Sequence, residues 1–214
     1  MGRVHSPHPD LAQAKQRLRQ EMRARRRNLS PEQQQRAAHS LAKHLVRLPA
    51  FVRSRHLALY LPNDGEIDPG PLTLAAWRMG KRCYLPVLHP LDDRRLAFVR
   101  YEADTALRPN RFGIPEPDFR RTSRLAPEHL DLVLLPLVAF DRTGARLGMG
   151  GGFYDRTFAF KQQHQVWRHK PRLIGLAHSC QEADEVVRER WDLPLSAVAT
   201  DQGIITTHDH GLTW

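Results

Sequence analysis

Asp131-Leu-Val-Leu-Leu-Pro-Leu-Val-Ala-Phe-Asp-Arg-Thr-Gly-Ala-Arg-Leu-Gly-Met-Gly-Gly-Gly-Phe-Tyr-Asp155 is the stretch whose reading decides the fold. Its first ten residues, 131–140, hold the most hydrophobic run of the chain, Leu132-Val133-Leu134-Leu135. Such an unbroken run suits a strand covered on both faces. Asp141-Arg142-Thr143-Gly144 has the composition of a turn. Gly148, Gly150, Gly151 and Gly152 then fall within five positions. A helix is expected from about Tyr154 to Gln163.

The same alternation extends outward. Residues 11–27 are rich in Ala, Gln, Arg, Leu and Glu, which favour helix, and Leu11, Ala14 or Lys15, Leu18 and Met22 recur at helical spacing. Ser30-Pro31-Glu32-Gln33 reads as a helix start: Ser30 is the N-cap, Pro31 sits at N1 and Gln33 completes a capping box. That helix is expected to reach about Leu48. His56-Leu57-Ala58-Leu59-Tyr60-Leu61 predicts a buried strand, and residues 69–79 a helix capped by Asp68 and stopped by Gly80. Strands are expected at 81–87, 96–101, 173–177, 196–200 and 204–206, with an ordered, proline-rich loop region at 104–128 over one edge. Strands alternating with helices predict an α/β fold of three layers, α/β/α, with a mostly parallel central sheet. Ligands of such sheets gather at the carboxyl ends of strands. Residues 64–68, the glycine loop and the segment near Cys180 all lie just after predicted strands.

The 214 residues, 41% hydrophobic and 26% charged, suit one globular domain at 11–207, between an N-terminal leader at 1–10 and a C-terminal tail at 208–214. No apolar run reaches the length of about 18 that a membrane helix needs. The polar N-terminus lacks the apolar segment of a secretory signal. Cys83 and Cys180 are far apart and lack metal-ligand spacing, which predicts a reducing cytoplasm and no structural zinc. A net charge of +10 attracts anions without choosing among nucleic acid, nucleotides and polycarboxylates. Lys15, Arg17, Arg19, Arg23, Arg25, Arg26 and Arg27 crowd thirteen positions. They read as a solvated helix face or as a basic nucleic-acid-binding module, although no RNP, KH, zinc-finger or helix-turn-helix signature is present.

The glycine loop carries the chemistry. Without Cβ atoms it can expose several backbone N–H groups and let a ligand lie against the main chain. Arg146 adds a fixed cationic fork suited to phosphate. Asp155 adds a hard oxygen ligand suited to Mg²⁺. The residue types that hold a nucleotide polyphosphate and its metal are thus gathered in ten positions.

Residues 136–156 also resemble a family signature, P-x-x-A-F-D-x-x-G-x-R-L-G-x-G-x-G-[YF]-Y-D-R, that of the 5-formyltetrahydrofolate cyclo-ligases, or methenyltetrahydrofolate synthetases. Lys15-x-x-x-Arg19, Glu66-Ile67-Asp68, Phe112-Gly113-Ile114-Pro115-Glu116-Pro117 and Asp192 are similar to further family segments in the same order. The resemblance covers about 15–205 and implies a Rossmann-like domain of the NagB/RpiA/CoA-transferase kind. It also implies a reaction: 5-formyltetrahydrofolate and MgATP give 5,10-methenyltetrahydrofolate, ADP and phosphate.

What the resemblance implies for single residues follows its motifs. Lys15, Arg19 and the run Arg146, Leu147, Gly148, Met149, Gly150, Gly151, Gly152, Phe153, Tyr154 would bind ATP. Leu61, Glu66, Met149, Gly150, Gly151, Gly152 and Phe153 would meet the folate, with Glu66 accepting from N–H groups of the pterin ring. Asp155 and Asp192 would ligate Mg²⁺, and Arg146 and Asp155 would be catalytic. Spacing alone reads Lys15 and Arg19 as a surface pair, Asp155 as a carboxylate at a helix N-terminus favoured by the dipole and outside the core, and Tyr154 and Phe153 as core aromatics. Glu116 gains no chemical role. Met149 stands where the family usually has Tyr or a basic residue, and Phe153 where Tyr is common, so action on another N-formyl compound stays open. A monomer is expected, and the basic first helix is a candidate contact for a polyglutamate tail.

Overall fold

The computed structural model describes residues 9–120, 122–163 and 170–207. Most of the expected leader and all of the expected tail, with His5, His8, His208 and His210, lie outside the described residues. The apolar run becomes β7 (Leu132–Pro136), whose neighbours are β1 (His56–Ala58) on one side and β10 (Arg172–Leu176) on the other, both parallel to it. Beyond β1 come β2 (Arg82–His89), β3 (Asp92–Tyr101) and β6 (Arg124–Leu125); beyond β10 come β11 (Ala197–Ala199) and β12 (Ile204–Thr206). The sheet order is β12-β11-β10-β7-β1-β2-β3-β6. Five strands, β11, β10, β7, β1 and β2, run parallel; β12 at one edge and β3 on the other side run against them, and the edge strand β6 pairs antiparallel with β3.

Alternation along the strands divides the core. Leu132 and Leu134 of β7, with Leu57 of β1 and Ile174 of β10, face α2 (Pro31–Leu45), α3 (Pro49–Arg53) and α4 (Gly70–Arg78). Val133 and Leu135, with Ala58 and Leu173, face α5 (Phe153–Thr157), α6 (Phe160–Gln163) and the apolar pair Leu193 and Leu195. Two helical layers therefore sandwich the sheet. The strands' buried apolar side chains make this the largest source of stability, at roughly 25 cal/mol per Å² removed from water. α1 (Pro9–Arg27) packs elsewhere: Leu18 and Met22 close over Val138, Ala139, Ala145 and Leu147.

Several expected elements change length for identifiable reasons. The predicted strand 131–140 breaks at Pro136, which has no N–H to give a ladder. Ala139–Phe140 instead forms β8, a hairpin with β9 (Arg146–Leu147). Asp141 builds the turn between them, taking N–H bonds from Thr143 (2.9 Å) and Ala145 (3.1 Å) on Oδ1 and from Val186 (2.9 Å) on Oδ2. α2 has its capping box: Ser30 Oγ accepts from Gln33 N and Gln33 Oε1 accepts from Ser30 N. It ends at Leu45 rather than Leu48, because Pro49 pushes the preceding residue into extended backbone. The predicted helix 154–163 is two short ones, α5 and α6. The loop region at 104–128 contains a small hairpin of β4 (Leu107–Pro109) and β5 (Pro115–Pro117). Among the described residues no helix is long and apolar enough to cross a membrane.

Candidate functional site

A cavity of about 1070 Å³ opens where β1 and β7 end, between α1, the glycine loop and the β4–β5 hairpin. Strand ends leave backbone and loops free to line a ligand there. Its walls include Lys15, Arg19, Leu61, Glu66, every residue from Arg146 to Asp155, and Asp192. Lys15 and Asp192, 177 positions apart in the chain, thus share one concavity. Single small-molecule sites run to about 1,000 Å³, so this space suits two ligands side by side. A smaller hollow of about 340 Å³, between α2 and residues 178–180, contains none of these side chains.

The glycine loop is shaped as its composition requires. Gly150 and Gly152 take φ of +97° and +60°, which a side chain would resist. Arg146 rises from β9 into the floor, almost wholly buried, and its Nη2 donates to Asp155 Oδ1 at 2.5 Å. Asp155 also accepts from Leu193 N at 3.2 Å. Asp155 lies in the first turn of α5, where the spacing-based reading puts it, but it is not apart from the core: it also neutralises a buried arginine. Arg146 Nε is buried and has no hydrogen-bond partner among the described residues. An unpaired buried donor is costly, and a phosphate oxygen would satisfy it.

The basic helix turns inward. Lys15 Nζ pairs with Glu189 at 2.9 Å, and Arg19 Nε donates to Gly148 O at 2.9 Å, tying α1 to the glycine loop. Arg23, Arg26 and Arg27 all converge on Asp64. Asp64 has φ +54°, and its carboxyl is held down at about 2: burial pushes it up, and hydrogen bonds from Arg23, Arg27 and Arg26 outweigh that. Of the basic run, Lys15, Arg19 and Arg26 line the cavity, and Arg23 and Arg27 hold Asp64, which lines it as well.

Beyond β1, Tyr60, Leu61 and Glu66 form the wall opposite the glycine loop. Tyr60 donates to Ile67 O at 2.7 Å. Glu66 Oε2 accepts from Asn63 N at 3.1 Å, and Oε1 stands 3.8 Å from Arg26 Nη2. Burial pushes the Glu66 carboxyl up to about 7, with Arg26 pulling the other way. Leu85, Leu88 and Leu96 continue an apolar lining that suits a flat heterocycle.

Asp155 and Asp192 face the same cavity. Asp192 Oδ2 accepts from Glu189 N at 2.7 Å. Burial raises the Asp192 carboxyl, and the charge of Asp155 raises it further. Two carboxylates that repel each other beside a cationic, glycine-lined loop are a donor set that a hard divalent cation would suit. Glu116 gains a structural role: its Oε2 accepts from Asn110 Nδ2 at 3.0 Å and from Leu88 N at 3.4 Å, pinning the β4–β5 hairpin to β2. Tyr154 stacks on Phe158 at 6.5 Å, as a core aromatic would, while also lining the cavity.

Several lining residues escaped the sequence reading. Phe112 and Trp191 are large and about half exposed, and both rim this cavity beside the expected Met149. Phe112 meets Phe153 edge-on at 6.3 Å. Arg26 and Asp64 were also missed as site residues. For Arg26 a signal existed, since it continues the Leu18, Met22 stripe by one further turn.

Comparison with known proteins bears on the same residues. Residues 11–201 match the model of the 5-formyltetrahydrofolate cyclo-ligase family. The chain belongs to that family. It is 45% identical over 180 residues to the 5-formyltetrahydrofolate cyclo-ligase of Escherichia coli K12, covering 84% of this chain and 96% of that one. It is 42% identical over 184 residues to the corresponding protein of Haemophilus influenzae, covering 86% and 95%. The NMR structure of Aquifex aeolicus 5,10-methenyltetrahydrofolate synthetase superposes with a TM-score of 0.77 at 32% identity, covering 94% of this chain and 96% of that one. Membership of this family makes the chain a folate-related ligase.

Proposed function

We propose that the cavity converts 5-formyltetrahydrofolate and MgATP into 5,10-methenyltetrahydrofolate, ADP and phosphate. The observation that carries this reading is the division of one space into a cationic, glycine-lined end and an apolar end bearing Glu66. Lys15, Arg19, the unpaired Arg146 Nε and the loop N–H groups suit the triphosphate. Leu61, Glu66 and Phe153 suit the pterin. Asp155 and Asp192 are the residues to hold Mg²⁺, which would neutralise phosphate charge.

The chemistry needs activation because an N-formyl group is amide-like and its oxygen leaves poorly. The formyl oxygen attacks the γ-phosphorus, the bridging P–O bond breaks and ADP departs. N10 then adds to the activated carbon, its proton is lost, and the C–O bond breaks to release phosphate. No covalent enzyme intermediate is required. The protein's work is to align the two ligands and to stabilise the charge that develops on the transferring group. Exclusion of water from the half-closed cavity protects the activated formyl group.

We place the protein in the cytoplasm as a monomer, a reading supported by two unpaired cysteines, Cys83 buried and Cys180 half-buried. Purified protein given MgATP and 5-formyltetrahydrofolate is expected to generate the methenyl absorbance, and a chelator to abolish it. Folded protein that gives no such band would overturn the proposal. The exposed Met149 and the hydroxyl-free Phe153 favour testing other N-formyl compounds in parallel. Faster turnover of one of those would reassign the substrate while leaving the nucleotide end intact.

A further inference from the structure

Among the described residues, the one charged side chain of the lining that is fully buried is Arg26, with 0% exposure at the end of α1. Its Nε donates to Asp64 O at 2.8 Å, its Nη2 to Asp64 Oδ2 at 2.9 Å, and its Nη1 to Leu137 O at 3.3 Å. Leu137 lies just past β7, so one guanidinium joins the first helix, the central strand and the loop that carries Glu66. The same Nη2 lies 3.8 Å from Glu66 Oε1. Gln34 ties in as well, donating to Arg26 O at 3.0 Å and to Gly65 O at 3.4 Å.

We infer that Arg26 is a positioning residue for Glu66, fixing the loop 63–66 and keeping the Glu66 carboxylate anionic where the folate ring would meet it. The inference rests on the reading of Glu66 as the folate contact. A planar fork with five donors can span three acceptors at once, which a lysine cannot. Charge supports the same assignment. Two things disfavour the Glu66 anion, burial first and then the charge of Asp64 in its own loop; Tyr60 after β1 and Tyr154 in α5 stand near it as neutral phenols, held so first by burial and then by the charge of Glu66. Neutral His178 lies behind the loop against Gly65 and Arg26, its charge opposed first by burial. Arg26 is the cation that opposes this set. Arg23 and Arg27 act through Asp64, since both bind its carboxylate.

The test is kcat/KM for 5-formyltetrahydrofolate against pH, at saturating MgATP, for the wild type and four variants. Wild type should lose activity as pH falls through about 7, where Glu66 takes up its proton. Arg26→Gln should move that limb to higher pH by about one pH unit or more and recover much of its activity in alkaline buffer. Arg26→Lys should lie between the two. Asp64→Asn should move the limb the opposite way, to lower pH, because it removes a repelling charge. Asparagine also tolerates the left-handed backbone there, so this variant should fold even if Arg26→Gln does not. Equal loss at every pH in Arg26→Gln, or an unmoved limb in Asp64→Asn, would overturn the inference. Glu66→Gln separates the two layers: it should abolish the limb, and if it retained the wild-type profile the folate reading of Glu66 itself would fail.

Discussion

Replacing Glu66 by glutamine should stabilise the protein in alkaline solution while impairing it as an enzyme. The carboxyl is held up at about 7 in the folded chain, against an ordinary value of 4.5, and burial is the principal cause. Below pH 4.5 the group is neutral in both folded and unfolded chains and contributes no difference. As pH rises from there, the unfolded chain releases the proton first while the folded chain keeps it until about pH 7. Wild-type stability is therefore lost across that window. The gap corresponds to about 3 kcal/mol above pH 8 and to under about 1 kcal/mol at pH 5. Glutamine is isosteric, can still accept from Asn63 N, and does not titrate. Thermal or urea unfolding of both proteins at pH 5 and pH 8 reads the difference. At about 2–4 °C per kcal/mol for a chain of this size, Glu66→Gln should melt about 5–10 °C higher at pH 8 and within about 3 °C at pH 5. A difference that does not change with pH, or a variant less stable at pH 8, would refute the reasoning. Such a result would mean that the wall around Glu66 is more hydrated than its packing indicates.

Other outcomes follow from the same geometry. Asp155→Ala should lose turnover and also about 1–3 kcal/mol of stability, because Arg146 is left buried without its carboxylate; Asp155→Asn should keep most of the stability and still lose turnover, as unfolding and initial-rate measurements together would show. Asp192→Asn should raise the Mg²⁺ concentration needed for half-maximal rate and leave the melting temperature within about 2 °C, since Asp192 makes one backbone bond to its own loop. Gly152→Ala should cost about 1–2 kcal/mol from the left-handed backbone at φ +60°, with a larger fall in ATP affinity measured by titration than in folate affinity.

The fold was legible because its strands are continuous apolar runs. Leu132 to Leu135 and Leu173 to Leu176 need cover on both faces, and only a sandwiched parallel sheet supplies it. Direction at the edges was not legible. β3 reads as one more short apolar strand, yet it returns antiparallel because the connection from β2 is only a tight turn. The break after Pro136 was written in the proline but was obscured by the apolar residues beyond it. At the site, the site residues that the motifs single out, from Lys15 to Asp192, all line one cavity. Arg26 differed from the other basic residues of its run only by lying one turn beyond Leu18 and Met22, and seven basic residues in thirteen positions mask so small a signal; Asp64 becomes distinctive only when packing brings Arg23, Arg26 and Arg27 onto it. Phe112 and Trp191 had no signal, because an exposed aromatic declares itself only when a cavity lies beneath it.

The central claim is that the terminal phosphoryl group of ATP passes to the formyl oxygen within this cavity. Substrate labelled with ¹⁸O at the N5-formyl group tests it directly, with the released phosphate examined by mass spectrometry. Transfer of one labelled oxygen into phosphate for each methenyl product formed is the result predicted. Unlabelled phosphate, with the heavy oxygen recovered in water, would contradict it.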